Sequence, residues 1–185
     1  NYGNGSGGEE VINPATQKPL AHLPHATKAD LDAALAAADK GFKVWKAKSA
    51  YDRGRIIKKA ADLIRERADH IARVMTQEQG KALVEAKGEV ITSADIAEWF
   101  AEEGRRAYGR IIPSRNPTVR QMVVTEPVGV VAAFTPWNFP TLTPVRKIAA
   151  SLAAGCSIII KASEETPGGC VELVKCFEDA GVPAG

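Results

Sequence analysis

The 185-residue sequence predicts an α/β fold in which helices come first and a parallel sheet follows. Two continuous apolar, β-branched runs, residues 128–134 and 156–161, are each followed by a segment of helix length. Continuous apolar strands joined by helices are typical of parallel sheets that are buried on both faces. Before residue 106, apolar residues instead recur at helical spacing, which indicates amphipathic helices.

The first part of the chain is predicted to form a leader, a hairpin and three helices. Residues 1–8 are rich in glycine, without the basic and apolar regions of a signal peptide, and are interpreted as a flexible leader. Turn signals within residues 9–24 predict a small hairpin. Thr27 and Asp30 form a capping-box pattern at the start of the first helix. The apolar stripe of the first predicted helix is Leu31, Ala34, Leu35, Ala38, Phe42 and Trp45. A second predicted helix is continuous up to Gly80, with the stripe Ile56, Ile57, Ala60, Leu63, Ile64, Ile71 and Met75. The third covers residues 83–105, with Val90, Ile91, Ala94, Ala97 and Phe100 facing inward.

From residue 107 the pattern changes from helical to extended. Residues 113–117 are a connector, and residues 119–125 are predicted to form a strand. Strands at 128–134 and 156–161 then alternate with helices at 142–154 and 168–180, a β-α-β-α unit whose crossover is expected to be right-handed. Gly181 and Pro183 end the last helix, at a point where a third strand is expected.

Composition excludes several classes of function. A formal net charge of +2 does not fit a nucleic-acid-binding protein, in which basic residues are in clear excess. No apolar stretch approaches the ~20 residues that span a bilayer. Three cysteines, an odd number, favour a reducing compartment and hence the cytoplasm. The histidines, at positions 22, 25 and 70, are scattered, so no metal site is predicted.

Two polar motifs follow the predicted parallel strands, FTPWNFP at residues 134–140 and KASEETP at residues 161–167. Ligands of open parallel sheets bind beyond the carboxyl ends of the strands. No Gly-x-Gly-x-x-Gly dinucleotide motif follows either of these strands. Lys161 would instead donate to hydroxyls or offset phosphate charge, and Glu164 would accept from ribose hydroxyls and repel a 2′-phosphate. A plain surface ion pair is the alternative.

Asn138 has the setting of a catalytic amide. It lies between Trp137 and Phe139, and the prolines on either side stiffen the backbone. A side-chain amide held rigidly in an apolar wall is what an oxyanion hole requires. An asparagine that satisfies a turn is the alternative.

Together these motifs resemble those of the NAD(P)-dependent aldehyde dehydrogenase superfamily. The resemblance extends through NPAT at 13–16, EQGK at 78–81, EAKGE at 85–89, Lys147 and Gly155-Cys156. It implies an aldehyde dehydrogenase-like fold in which residues 9–106 are the helical part of the cofactor-binding domain. Residues 107–126 would then belong to a small bridging region for oligomerisation, and residues 127–185 would be the first β-α-β-α of a Rossmann-like NAD-binding sheet. A homo-oligomer, dimer or tetramer, is implied for the whole enzyme.

The resemblance also implies roles for single residues. Asn138 matches the oxyanion-hole amide and is the catalytic candidate. Thr135, Pro136 and Trp137, with Asn138, match the segment that flanks the nicotinamide and its ribose. Lys161 and Glu164, with Ala162 and Ser163 beside them, match the pair that contacts the adenosine ribose. The family often has proline in place of Ala162. An acidic residue at 164 implies NAD rather than NADP.

A narrower resemblance concerns the substrate. WFAEEGRRAYG at residues 99–109 and Arg146-Lys147 are similar to segments of succinate semialdehyde dehydrogenases. Arg146 falls at a position that helps bind the distal carboxylate of the substrate, and a guanidinium matches a carboxylate bidentately. Succinate semialdehyde is therefore the expected substrate, and glutarate semialdehyde is the alternative. A helix salt bridge is the other interpretation of Arg146.

The family's nucleophilic cysteine and general base lie in motifs resembling Gly-Gln-x-Cys and Leu-Glu-Leu-Gly-Gly, and neither motif occurs in this sequence. Cys156, Cys170 and Cys176 are expected to be buried and unreactive. The chain is thus expected to be the N-terminal part of the enzyme, inactive alone. The strand at 119–125 is expected to find its partners outside the chain, which favours self-association. A non-catalytic NAD-binding or interaction module is the alternative.

Overall fold

The computed structural model describes residues 7–185, which form helices and three two-stranded sheets. The predicted α/β class is confirmed. Of the predicted leader, residues 1–6 lie outside the described residues, and Gly8 already belongs to the first strand. In chain order the elements are β1 Gly8–Asn13, β2 Lys18–Pro24, α1 Lys28–Lys46, α2 Ala50–Glu66, α3 Ala68–Gln79, α4 Leu83–Glu103, β3 Arg110–Ile112, β4 Gln121–Val123, β5 Val130–Phe134, α5 Leu142–Ala154, β6 Ser157–Lys161 and α6 Pro167–Ala180.

Local capping sets the ends of the first helices. The Thr27 hydroxyl accepts from the Asp30 N–H at 3.2 Å, and the Asp30 carboxylate accepts from the Thr27 N–H at 2.8 Å, so the predicted capping box is confirmed. The Ser49 hydroxyl caps α2 by accepting from the Asp52 N–H at 3.1 Å. Gly80 ends α3 in the left-handed region, at φ 83°, which a residue without Cβ adopts at no steric cost. The predicted hairpin is formed by β1 and β2.

The single long helix predicted for residues 56–79 is wrong, because the chain turns at Arg67 and forms α2 and α3. Arg67 leaves the helical region, with φ −93° and ψ 8°, although no glycine or proline marks the break. Ile64 before the break and Ile71 after it are both fully buried. The Arg67 guanidinium pairs with Asp179 at the end of α6, at 2.6 Å. Tertiary packing of both halves therefore decides this boundary.

The core lies between the helical half and the first units of the parallel sheet. Its largest fully buried side chains include Trp45, Ile57, Ile64, Met75 and Leu173. The inward position predicted for Ile91 is wrong, since 36% of this residue is exposed. The buried positions of α4 are instead Ala86, Glu89, Val90, Ser93, Ala94, Ala97 and Ala101. Within residues 7–185, no helix combines the length and apolarity that crossing a membrane requires.

The strand predicted at 119–125 is shorter, and its pairing differs from the expectation. β4 covers Gln121–Val123 and pairs antiparallel with β3, a strand that the sequence analysis missed. A partner strand therefore comes from this chain, so the expectation that all partners lie outside it is wrong. β3 has three residues, too few for a periodic pattern to be recognised.

The predicted parallel pair is confirmed, with β5 beside β6 and α5 as the connection. Burial on both faces is wrong for β5. Val130, Ala132 and Phe134 share one face because side chains alternate along a strand, and all three are exposed in the described chain. Ala133, on the opposite face, is buried.

Candidate active site

The two strand-end motifs adjoin at the carboxyl edge of β5 and β6. Phe134 is in register with Lys161. The Thr135 N–H donates to the Lys161 carbonyl at 3.1 Å, and the Thr135 hydroxyl donates to the same oxygen at 3.3 Å. The Thr166 hydroxyl lies 3.5 Å from the Trp137 carbonyl. The segments expected to flank the nicotinamide and to contact the ribose are thus held side by side.

Lys161 and Glu164 form an ion pair at this edge, and each side chain is about half exposed. The Lys161 ammonium also lies 3.2 Å from the Ala162 carbonyl. The hydrogen bond from Lys161 lowers the pKa of Glu164, so this carboxylate is charged at neutral pH. An exposed carboxylate acceptor beside an ammonium donor fits the vicinal hydroxyls of a ribose. Ser163 is buried beneath them and donates to Glu165.

Asn138 lies in the loop between β5 and α5 with its side chain exposed. Within residues 7–185 its side-chain amide forms no hydrogen bond, so it is free to donate to a ligand. The apolar wall expected around it is open in these residues, because Trp137 is 54% and Phe139 42% exposed. The backbone is fixed nonetheless, since the Asn138 carbonyl accepts from the Lys81 ammonium at 3.2 Å.

Glu89 is a buried carboxylate that the sequence analysis did not assign to the site. Its Oε1 accepts from the Thr141 N–H at 3.0 Å, the Thr141 hydroxyl at 3.0 Å and the Leu142 N–H at 3.1 Å. The other oxygen pairs with Lys81. The Thr141 side chain at the N-cap position does not cap α5, and the Glu89 carboxylate caps the helix instead. A signal was present, because Glu89 shares the inward stripe of α4 with Ala86 and Val90.

Glu78 holds the start of α6 in a similar way. Its carboxylate accepts from the Gly168 N–H at 2.7 Å and from the Gly169 N–H at 3.1 Å. Thr166, at the N-cap position of α6, provides no side-chain cap. Burial raises the pKa of Glu78, and the two N–H donors oppose that rise. These hydrogen bonds therefore hold the carboxyl end of segment 161–167 against α3.

Arg146 is exposed on α5. Among the residues that the structure describes, no carboxylate pairs with its guanidinium. The helix salt bridge considered for Arg146 is thus not formed, and the side chain is available to a ligand.

None of the three cysteines has the setting of a nucleophile. Cys156, Cys170 and Cys176 are all buried and free, as expected. Burial raises the pKa of Cys170 to about 12 and that of Cys176 to about 11, so these two are thiols at neutral pH.

Comparison with known families is consistent with this geometry. Residues 3–185 match the Aldehyde dehydrogenase family. The match therefore includes both strand-end motifs, the Lys81–Glu89 pair and Arg146.

Relatives with related names resemble the chain over most of its length. A succinate semialdehyde dehydrogenase of Acinetobacter baylyi is 46% identical, over 94% of this chain and 36% of the relative. A glutarate-semialdehyde dehydrogenase of Pseudomonas putida is 43% identical, over 95% of this chain and 37% of the relative. Succinate-semialdehyde dehydrogenase [NADP(+)] GabD of Escherichia coli is also 43% identical, over 95% of this chain and 36% of the relative. The chain spans little more than a third of the length of these relatives.

A solved structure shows the same fold. The crystal structure of succinate-semialdehyde dehydrogenase from Burkholderia pseudomallei superposes with a TM-score of 0.96 at 40% identity. The superposition covers 100% of this chain and 38% of that one. The arrangement of helices and sheets described above therefore recurs in an experimental structure.

Replacing Glu78 with Gln should change how the free energy of unfolding depends on pH. Below the ordinary pKa of 4.5, the carboxyl is protonated in both the folded and the unfolded protein. Above it, the unfolded chain releases the proton while the folded chain, with its raised pKa, retains it, so stability falls as pH rises through this interval. Glutamine cannot titrate. The stability of the wild type minus that of Glu78→Gln should therefore decrease as pH rises above about 4.5, until the folded protein also releases the proton, as measured by urea denaturation.

Glu66→Gln, at an exposed position, is the control. It shows how the loss of one surface carboxylate changes the pH dependence of the free energy of unfolding. A wild-type minus Glu78→Gln difference that stays constant over the whole pH range would contradict the raised pKa.

Proposed function

The chain belongs to the aldehyde dehydrogenase family, and we propose that it supplies the NAD-binding wall and the oxyanion amide of an enzyme that oxidises an acidic semialdehyde. Succinate semialdehyde, converted to succinate, is the proposed substrate. The observation that carries the proposal is the adjacency of the two strand-end motifs, through the hydrogen bonds from Thr135 to the Lys161 carbonyl. This adjacency lets one bound dinucleotide reach both motifs.

Each motif has a distinct task in the proposed reaction. NAD, when bound, accepts the hydride that leaves the aldehyde carbon. The Asn138 amide donates a hydrogen bond to the oxyanion that forms when a cysteine thiolate attacks the aldehyde. Thr135, Pro136 and Trp137 flank the nicotinamide and its ribose, and Lys161 and Glu164, beside Ala162 and Ser163, bind the adenosine ribose. The attacking cysteine and the glutamate that activates water for thioester hydrolysis belong to motifs that this sequence does not contain.

Preference for NAD over NADP is proposed from Glu164. Its charged carboxylate would accept from the ribose hydroxyls of NAD and repel the 2′-phosphate of NADP. One relative at 43% identity is named for NADP, so cofactor preference is tested directly at this residue.

Replacing Glu164 with Ser should shift cofactor preference towards NADP. Loss of the carboxylate removes an acceptor for NAD and a repulsive charge for NADP, and a charge-assisted hydrogen bond contributes about 1.5–3 kcal/mol. The ratio of kcat/KM with NAD to that with NADP should fall roughly tenfold or more. The measurement is steady-state kinetics on the full-length polypeptide, meaning one that continues this sequence to the length of its relatives. Glu165→Ser is the matched control, and an equal shift in both variants would contradict the role of Glu164.

The substrate carboxylate is proposed to bind Arg146. The guanidinium is exposed and has no carboxylate partner among the described residues, so a ligand carboxylate does not have to compete with one. Relatives at similar identity are named for succinate and glutarate semialdehydes, which share an aldehyde and a distal carboxylate. Glutarate semialdehyde is therefore the alternative substrate.

Replacing Arg146 with Ala should raise KM for succinate semialdehyde roughly 10- to 100-fold, because a hydrogen-bonded charge pair is lost. KM for butanal, which has no carboxylate, should change about twofold at most. Both are measured on the full-length polypeptide, with Lys147→Ala as the neighbouring control. Equal effects on the two aldehydes would assign Arg146 a structural role.

The β3–β4 hairpin exposes the apolar side chains of Ile111, Met122 and Val124, each more than 70% exposed. We propose that this segment, residues 107–126, contributes to a dimer or tetramer, and that the enzyme works in the cytoplasm.

The 185 residues alone should have no dehydrogenase activity, because the cysteine and glutamate motifs are absent. Pure 185-residue protein with NAD and succinate semialdehyde should give no increase in absorbance at 340 nm over a blank without aldehyde. NADH formation would contradict the assignment of the nucleophile outside this chain. NAD binding in the same preparation, measured by calorimetry, would fit both the proposed role and the alternative of a non-catalytic NAD-binding module. Turnover by the full-length polypeptide separates these two.

A further inference from the structure

Lys81 and Glu89 form a buried ion pair behind the loop that carries Asn138. Lys81 lies in the link between α3 and α4, and Glu89 lies in the second turn of α4. Their side chains are 12% and 3% exposed. Charges so buried have lost most of their hydration, so every further polar contact they make contributes to holding them there.

The Lys81 ammonium contacts two consecutive residues of the loop. Besides Glu89, it donates to the Asn138 carbonyl at 3.2 Å and lies 4.5 Å from the centroid of the Phe139 ring. An ammonium has three N–H donors, so one Lys81 side chain can make these three contacts at once. The backbone on the carboxyl side of Asn138 is therefore held by a buried charge.

Glu89 holds the other end of the same loop. Its three contacts, with the N–H and hydroxyl of Thr141 and the N–H of Leu142, are all made by one oxygen. The second oxygen pairs with Lys81. The segment from Asn138 to Leu142 is thus clamped at both ends by one pair of charges that belongs to the helical half of the chain.

We propose that Lys81 and Glu89 are positioning residues, which hold the Asn138 backbone so that its side-chain amide is fixed where the oxyanion forms. The inference rests on the proposed function for its catalytic consequence. An oxyanion donor works only when it is aligned before charge develops, and a misplacement of about 1 Å can cost ~100-fold in rate. The Asn138 side chain is exposed and forms no hydrogen bond of its own within residues 7–185, so among these residues it is the backbone that sets where this side chain starts.

A double variant separates positioning from mere charge balance. Lys81→Met alone leaves a buried carboxylate without its partner and is expected to lower stability strongly. Lys81→Met combined with Glu89→Gln removes both charges, and the glutamine oxygen can still accept from Thr141 and Leu142. Stability should therefore largely return in the double variant, while the contact with the Asn138 carbonyl stays lost. Lys87→Met, which removes an exposed ion pair between α4 and Asp69 of α3, is the matched control.

In the full-length polypeptide, the double variant should have a kcat roughly tenfold or more below that of the wild type. Its KM for NAD should stay within about twofold, because Lys161 and Glu164 are untouched. Lys87→Met should leave both values unchanged. A double variant with wild-type stability and wild-type kcat would overturn the proposal and leave the pair as a structural ion pair.

Amide hydrogen exchange in the 185-residue chain tests the same inference without any catalysis. The Thr143 N–H donates to the Phe139 carbonyl at 3.1 Å, next to the carbonyl that Lys81 holds. Its exchange should be roughly tenfold faster in the double variant, whereas the Leu142 and Ile64 amides should change little. Unchanged Thr143 exchange would overturn the inference, even if the enzyme is active. Faster Thr143 exchange together with an inactive wild-type full-length polypeptide would support the role of Lys81 and Glu89 in holding the loop and would reject the proposed function.

Discussion

The site depends on the hydrogen bonds that two carboxylates of the helical half, those of Glu78 and Glu89, accept from the first N–H groups of α5 and α6. Glu89 satisfies the first N–H groups of α5, and Glu78 satisfies those of α6. Neither helix is capped by the side chain at its own N-cap position. Because the loops before α5 and α6 are the two motifs, capping from outside also sets where the motifs lie relative to α3 and α4.

Placing these carboxylates at helix N-termini reduces the cost of burying them. The N–H groups of the first turn have no partner within the helix, and the helix dipole favours a negative charge there. Glu89 gains a counterion in Lys81 as well, whereas Glu78 has only N–H donors, and burial raises its pKa. Lys81 gives the Glu89 site an opposite charge, and desolvation disfavours a charge that has none nearby.

The sequence predicted the α/β class, the capping box at Thr27 and the parallel β5–β6 pair, because each follows from the order and spacing of residue types along the chain. The break at Arg67 was missed, since it is set by packing on α6 and by the Arg67–Asp179 pair rather than by a helix-breaking residue. β3 is too short for its periodicity to be seen. Glu89 and Lys81 were recognised only as parts of motifs, because their partners Asn138, Thr141 and Leu142 are about fifty residues away in sequence.

The side chain of Asn138 is accessible from one side of its loop, and its backbone is held from the other side by Lys81 and Glu89. These two properties are complementary. In the proposed function the site admits both a dinucleotide and an aldehyde, and Trp137, Phe139 and one face of β5 are exposed in the described chain. Rigidity then has to come from behind, from groups that the ligands do not displace. Lys81 and Glu89 meet that requirement, because they contact the backbone and the Phe139 ring and leave the Asn138 amide free. In the proposed function, preorganisation of the donor and access for the substrate are thus provided by opposite sides of one loop, the one between β5 and α5.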